Sequence, residues 1–304
     1  MTVLTHRTSA LLFRRPRLRL ALLLGLPLLW LGVFYAGSLL ALLAQSFYAL
    51  DDFTGVVKRS FTLDTWRQLF SLSNATVVMR TAGMATAVTI ASAVVAFPLA
   101  YYMGRYASRT GKTILYLLVL VPLWSSYLVR VYSWKLILAK EGILSWFVER
   151  LGLGWLLEAT LGLPVVGGFT LSTSLIGQFL VFTYIWLPFM VLPVATAVEK
   201  IPRSLLEASA DLGARSPDTF RRVVLPLVWP GVVAGSIFTF SLTLGDYIIP
   251  TIIGDSSPFI GYAIYSHQGV SGNVPLAAAF SFIPIAIMAV YIFLARRTGA
   301  FENL

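Results

Sequence analysis

Residues Glu207–Pro230 read EASADLGARSPDTFRRVVLPLVWP, a charged stretch set between two runs apolar enough for lipid. Pro202, just upstream, can open a helix, because its missing N–H falls where first-turn donors have no partner. Arg203 and Glu207 sit at i,i+4, and Glu207 and Asp211 repeat the spacing. Leu205, Leu206, Ala208, Ser209 and Leu212 supply an apolar or small face, and Gly213 suits the left-handed position that ends a helix. Ser216-Pro217-Asp218 reads as a second start: a capping serine, proline in the first turn and an acid at the positive end of the dipole. This second helix is expected to run through Phe220 to about Leu225, where Pro226 stops or kinks it. The pattern predicts a two-helix elbow too polar to enter lipid. It is either a docking surface for a partner or a plain amphipathic connector.

The surroundings are a membrane protein's. Of 304 residues, 58% are hydrophobic and 12% charged, with mean hydropathy +0.81. Soluble domains hold roughly 45–50% apolar residues and about a quarter charged. A helix needs about 20 mostly apolar residues to cross the hydrocarbon core. Six runs reach that length: Leu20–Ala44, Val77–Met103, Ile114–Leu138, Leu175–Val198, Val228–Ile249 and Leu276–Leu294. The first follows Arg14, Arg15, Arg17 and Arg19, as a signal peptide would. Its length exceeds a signal's apolar region, so a retained span is expected.

Lysine and arginine set the orientation. Fifteen lie before span one, after spans two and four, and after span six, against six in the opposite segments. Arg130 and Lys135 fall inside span three. Both termini and the elbow are therefore expected in the cytoplasm, and the net charge of +10 is a topology signal, not a nucleic-acid footprint. The expected organisation is a basic cytoplasmic tail (1–19), a six-helix domain (20–298) with a cytoplasmic loop at about 199–226, and a short cytoplasmic tail (299–304). On the outer side, Gly142–Gly152 (GILSWFVERLG) reads as a short helix, either lying at the lipid interface or covering the outer mouth. Thr251–Pro275, rich in Gly, Ser and Pro, is expected to be irregular backbone at a gate or vestibule.

No constellation for chemistry is present. Gly111-Lys112-Thr113 lacks the glycine that a phosphate loop needs at the position of Tyr106. The chain has no cysteine, and its histidines, His6 and His267, stand alone. No catalytic residue, metal site or cofactor of its own is expected. Gly231 and Gly235 form a GxxxG, read as packing within the subunit in preference to an intersubunit contact. Asp246 is the one carboxylate within a span. Two readings stand: contact with a cationic solute beside aromatic rings, or a structural role, paired with Arg130 or Lys135 or at the span's edge.

Glu207-Ala208-Ser209, then Gly213, then nine residues to Val223 and Leu225-Pro226, resembles the loop signature of ABC importer permeases, E-A-A-x-x-x-G-x9-I-x-L-P. Ser209 replaces the second alanine and Val223 the isoleucine. The resemblance implies an all-α polytopic protein, a MetI-like bundle of the type I importer kind. Its place is the bacterial inner membrane, as a non-catalytic subunit. It also implies a second, paralogous permease or a second copy, two cytoplasmic ABC ATPases holding ATP and magnesium, a soluble solute-binding protein outside, and a bilayer around the spans. On that basis Glu207, Ala208, Ser209, Gly213, Leu225 and Pro226 are expected to couple to the ATPase. Leu128–Trp134 and Leu244–Pro250 resemble the spermidine/putrescine branch, which implies a solute path touching Arg130, Tyr132, Trp134, Asp246 and Tyr247. Branches for opines, ferric iron or other small solutes share parts of these stretches. An ion-driven secondary transporter is the rival class. It is disfavoured by the lack of internal duplication and the scarcity of midplane acids.

Overall fold

Apolar runs of this length have one stable form in lipid, the α-helix, because every backbone group must be bonded within the segment. The computed structural model describes residues 16–51, 53–255 and 257–297. The first span is α1 (Pro16–Trp30), a π-helical turn (Leu31–Ala36) and α2 (Gly37–Gln45). A two-stranded hairpin, β1 (Ala49–Leu50) with β2 (Val57–Lys58), and α3 (Asp64–Leu69) lead to α4 (Leu72–Arg105). Next come α5 (Arg109–Trp124), α6 (Tyr127–Ile137), α7 (Ile143–Arg150), α8 (Gly154–Leu161) and α9 (Leu175–Lys200). The elbow is α10 (Arg203–Asp211) and α11 (Ser216–Thr219), followed by α12 (Leu225–Gly245). The chain closes with α13 (Ile248–Ile252), α14 (Ile260–Gly269) and α15 (Val274–Arg297). Among the described residues five helices are long and apolar enough to cross a membrane, or six if the bent pair α5–α6 counts as one span. Residues 1–15 and 299–304, with Arg7, Arg14 and Arg15, lie outside the described residues.

Three expected elements differ. Span three is no straight rod: α5 and α6 meet at 97°. Pro122 removes one helical donor, Ser125 is extended, and the Ser125 hydroxyl bonds back to Pro122 O at 2.8 Å, so the helix ends there. The fifth span stops at Gly245, where Asp246 turns extended, and does not reach Ile249. The segment Thr251–Pro275 holds a helix, α14. Ile260, Gly261 and Ala263 are buried on it, and the Ile260 N–H is received by the Thr81 hydroxyl of α4 at 3.0 Å. Helical spacing there was masked by the Gly- and Ser-rich flanks.

The short helix expected within Gly142–Gly152 is present as α7. Leu144 packs onto the core while Ile143, Trp146 and Phe147 stay exposed.

Helices α4, α9 and α12 form the centre of the bundle. One buried cluster joins Ala96, Ala100 and Met103 of α4 to Met190, Val194 and Val198 of α9 and to Val228 of α12. Lipid tails are as apolar as leucine, so packing, not burial from water, holds such helices together. Small residues make the approach close. A Cβ on Gly231 would meet Ala197 Cβ at 2.5 Å and Pro193 O at 2.7 Å, and one on Gly235 would meet Met190 Sδ at 2.7 Å. The GxxxG therefore packs α12 on α9 within one subunit.

Gly231→Leu should force these helices apart at a loss of about 1–3 kcal/mol, the usual range for overpacking. A lower thermal midpoint in detergent than the native chain shows it. An unchanged midpoint would contradict the packing described.

Candidate functional site: the elbow and the Asp246 cluster

The elbow begins where α9 ends. Ile201 is buried and Pro202 is extended (φ −63°, ψ 137°), so Pro202 is the residue before α10 and not part of its first turn. Two backbone bonds close α10: Gly213 N–H to Ala210 O at 2.8 Å and Ala214 N–H to Ser209 O at 3.1 Å. That is a Schellman ending, and it requires the left-handed φ of +77° found at Gly213. The second arm starts one residue earlier than expected. Arg215 is the extended cap, Ser216 is already helical and caps nothing, and Asp218 stands in the first turn. Pro226 does not stop this arm. A π-helical turn, Phe220–Val224, brings Leu225 N–H to Phe220 O. The widened turn places Pro226 in the first turn of α12, and Ser216–Gly245 reads as one long apolar helix.

The arms are tied by the Ser209 and Thr219 hydroxyls at 2.9 Å. Leu206 points into the bundle core, whereas Glu207 and Ala208 are exposed and Leu212 is 87% exposed. Between the arms lies a groove of about 530 Å³ bounded by Leu205, Ala208, Ser209, Gly213, Asp218 and Arg222. Ala208, Ser209 and Gly213 thus line one groove, with Glu207 exposed beside Ala208 on α10 and Leu225 and Pro226 at the start of α12. Arg203 and Glu207 form no ion pair; among the described residues the pairs are Lys58–Asp51, Arg67–Asp64 and Lys112–Glu199.

The last of these anchors the elbow. Glu199 Oε2 is 2.8 Å from Lys112 Nζ and its Oε1 accepts from the Tyr116 hydroxyl at 2.8 Å. Arg105 Nη2 donates to Ile201 O at 2.7 Å. Neither Tyr116 nor Glu199 stood out in the sequence, where Arg105 and Lys112 counted as basic flank after span two and Lys112 as part of an incomplete phosphate-loop motif. The Gly111-Lys112-Thr113 motif lies in the first turn of α5, capped by Ser108.

At the other end of α12, Asp246 is held by three donors. Its Oδ1 accepts Ile248 N–H at 2.7 Å and Ile249 N–H at 3.1 Å, and its Oδ2 accepts the Tyr127 hydroxyl. The expected structural pairing with Arg130 or Lys135 is not what is found, because neither lies in an ion pair with it. Arg130 instead lies over the Tyr127 ring, Cζ 5.7 Å from its centroid, with Nε and Nη1 buried and unbonded. Tyr127 also stacks on Trp186 at 5.8 Å. Trp134 packs on Tyr184 at 5.0 Å and Tyr247 stacks on Tyr265 at 5.1 Å. Arg130 and Asp246 therefore share a neighbour, Tyr127, that the sequence did not point out, while Tyr132 is 54% exposed and is not part of the ring contacts. No group of three or more His, Asp or Glu able to hold a metal occurs among the described residues.

The family described as binding-protein-dependent transport system inner membrane component matches residues 96–298. The inner membrane ABC transporter permease protein YdcU of Escherichia coli (strain K12) is 55% identical over 98% of this chain and 95% of its own length. The spermidine/putrescine transport system permease protein PotB of the same organism is 30% identical over 90% of this chain and 95% of its own. Among solved structures, a bacterial ABC transporter importing the acidic polysaccharide alginate superposes with a TM-score of 0.68, at 16% identity, over 96% of this chain and 99% of that one. The methionine ABC transporter MetNI superposes with a TM-score of 0.52, at 17% identity, over 73% and 93%. With α9, the elbow and α12 inside the matched region and relatives aligned along nearly its whole length, the chain belongs to the binding-protein-dependent inner membrane transport components, as a non-catalytic, multi-pass ABC importer permease subunit.

Proposed function

We propose that this subunit forms the path for a polyamine of the spermidine or putrescine kind. The observation that carries the reading is the 30% identity, over 90% of the chain, to a permease named for those solutes. The cluster around Asp246 suits it. A carboxylate beside Tyr127, Tyr247 and Trp186 offers charge and ring faces to an ammonium. On this reading Asp246, Tyr247, Arg130, Tyr132 and Trp134 line or support the path.

Both termini and the elbow lie in the cytoplasm, as the lysine and arginine distribution favours. A second, paralogous permease completes the path. Two copies of an ABC ATPase hold ATP and magnesium, and a soluble binding protein delivers the solute from outside. One alginate structure in the comparison contains such a periplasmic protein. The elbow seats in a groove of one ATPase through Glu207, Ala208 and Leu212, with Gly213 setting its angle and Leu225 and Pro226 joining it to α12. ATP binding closes the ATPases, and the elbow transmits the displacement to α9 and α12 as a rigid-body shift. The driving energy is the elbow's differential contact with the ATP-bound state.

A second reading has its own observation. The buried, unbonded N–H groups of Arg130 favour a solute with an acceptor, such as an opine or an amino-acid-like compound.

A ligand screen on the partner binding protein separates the two. Micromolar spermidine or putrescine raising its thermal midpoint supports the polyamine reading; silence to every polyamine, with a response to amino carboxylates, overturns it. In reconstituted vesicles, Ala208→Trp should lower solute uptake at least tenfold while subunit amounts stay native. Uptake at the native rate would refute ATPase docking at this surface.

A further inference from the structure

We propose that Glu199 is a positioning residue for transport: it latches the root of the elbow to α5, beside the Arg105 bond that ties it to α4, so that displacement of the elbow carries spans two and three with it. The inference rests on the coupling role proposed for the elbow and adds to it the route by which motion leaves that surface.

The geometry comes from three elements meeting at one point. Helix α9 ends at Lys200, and its penultimate residue sends a carboxylate sideways, not along the elbow. One oxygen takes the ammonium of Lys112, the other the hydroxyl of Tyr116, each at 2.8 Å. Both donors belong to α5, one turn apart, so the carboxylate grips a helix at two places and fixes its rotation as well as its distance. A step later, Arg105 from the end of α4 donates to the carbonyl of Ile201, the last residue before Pro202. Backbone contact reinforces this. A Cβ on Gly104 would meet Val198 Cγ1 at 2.7 Å, so α4 and α9 touch where the latch forms.

The elbow itself is otherwise lightly held. Most of α10 is exposed, Leu206 is its main contact with the core, and the Ser209–Thr219 bond joins it only to its own second arm. Force entering at Ala208 or Leu212 can therefore follow the backbone into α12, or pass backward through Ile201 and Glu199. Without the latch, the backward route reaches α9 and the α4 packed against it, while α5 keeps only apolar contacts. With it, α9, the end of α4 and the start of α5 move as one block.

The pair is partly open to water, with about a third of each side chain exposed (35% and 29%). Exposed pairs of this kind add little to stability. The role assigned is geometric, and charge reversal is the way to read it. Because the chain has no cysteine, spin labels can be placed on introduced cysteines at Thr110 and Ser204, both exposed positions on either side of the latch. Their separation is measured in the complete transporter, without nucleotide and with ATP and vanadate. In the otherwise native chain it should be the same in both states. Glu199→Lys and Lys112→Glu, each alone, should make it nucleotide-dependent and raise the ratio of ATP hydrolysed to spermidine imported several-fold. The double reversal should restore both readings to within about twofold of native, a recovery that a merely structural defect would not show. Tyr116→Phe, which keeps the fold and removes one of the two grips, should give an intermediate result.

A native separation that changes with nucleotide overturns the latch, as does a single reversal that leaves the separation invariant, or a double reversal that fails to recover. The label distance needs no solute. A failure of the polyamine reading would therefore show as absent uptake by the native chain, with the distance result intact.

Discussion

The approach of α12 to α9 at Gly231 and Gly235 is the constraint on which the remaining geometry depends. These helices are the two arms from which the elbow hangs. With no Cβ at either position, Pro193 and Met190 come into backbone contact with the facing helix, and the elbow between the arms must turn within a short chain. That shortness explains the Schellman ending at Gly213, the extended residues Pro202 and Arg215 and the wide π turn before Pro226. In a bilayer this packing does what apolar burial does in water, because the lipid offers no gain for hiding a leucine.

At the opposite end of α12, the same rule of complete backbone satisfaction explains Asp246. The helix breaks at Gly245, and two N–H groups of the following turn would be orphaned inside apolar surroundings. The Asp246 carboxylate takes both, and the Tyr127 hydroxyl completes it. An acid in this position is thus structural, its orientation fixed by α13 and α6. Arg130, held over the Tyr127 ring and in no ion pair among the described residues, gives the cluster a positive edge.

Much of this was legible in the residues, and the parts that were not share a cause. Uninterrupted apolar length gives the spans, and the glycine and proline positions give the elbow, because both depend on neighbours in sequence. The bend between α5 and α6 was foreshadowed by Pro122 and two serines, but those residues also occur in straight spans. Helix α14 was hidden by its Gly- and Ser-rich flanks, and the hydroxyl that receives its first N–H comes from Thr81, far away in the chain. Tyr127 and Asp246 are separated by 119 positions, and Tyr116 and Glu199 by 83. Neither pair has a local signal. The elbow residues were therefore found from the sequence, whereas what anchors the elbow, and what surrounds Asp246, required the fold.

The central claim is that the elbow surface around Ala208 rests against a partner ATPase. The most direct test attaches a short photo-crosslinker to Ala208→Cys, the sole cysteine of the chain, in the assembled transporter. Illumination should yield an adduct between this subunit and the ATPase, with a yield that changes when ATP and vanadate are added. An adduct-free ATPase in a complex that still hydrolyses ATP would contradict it.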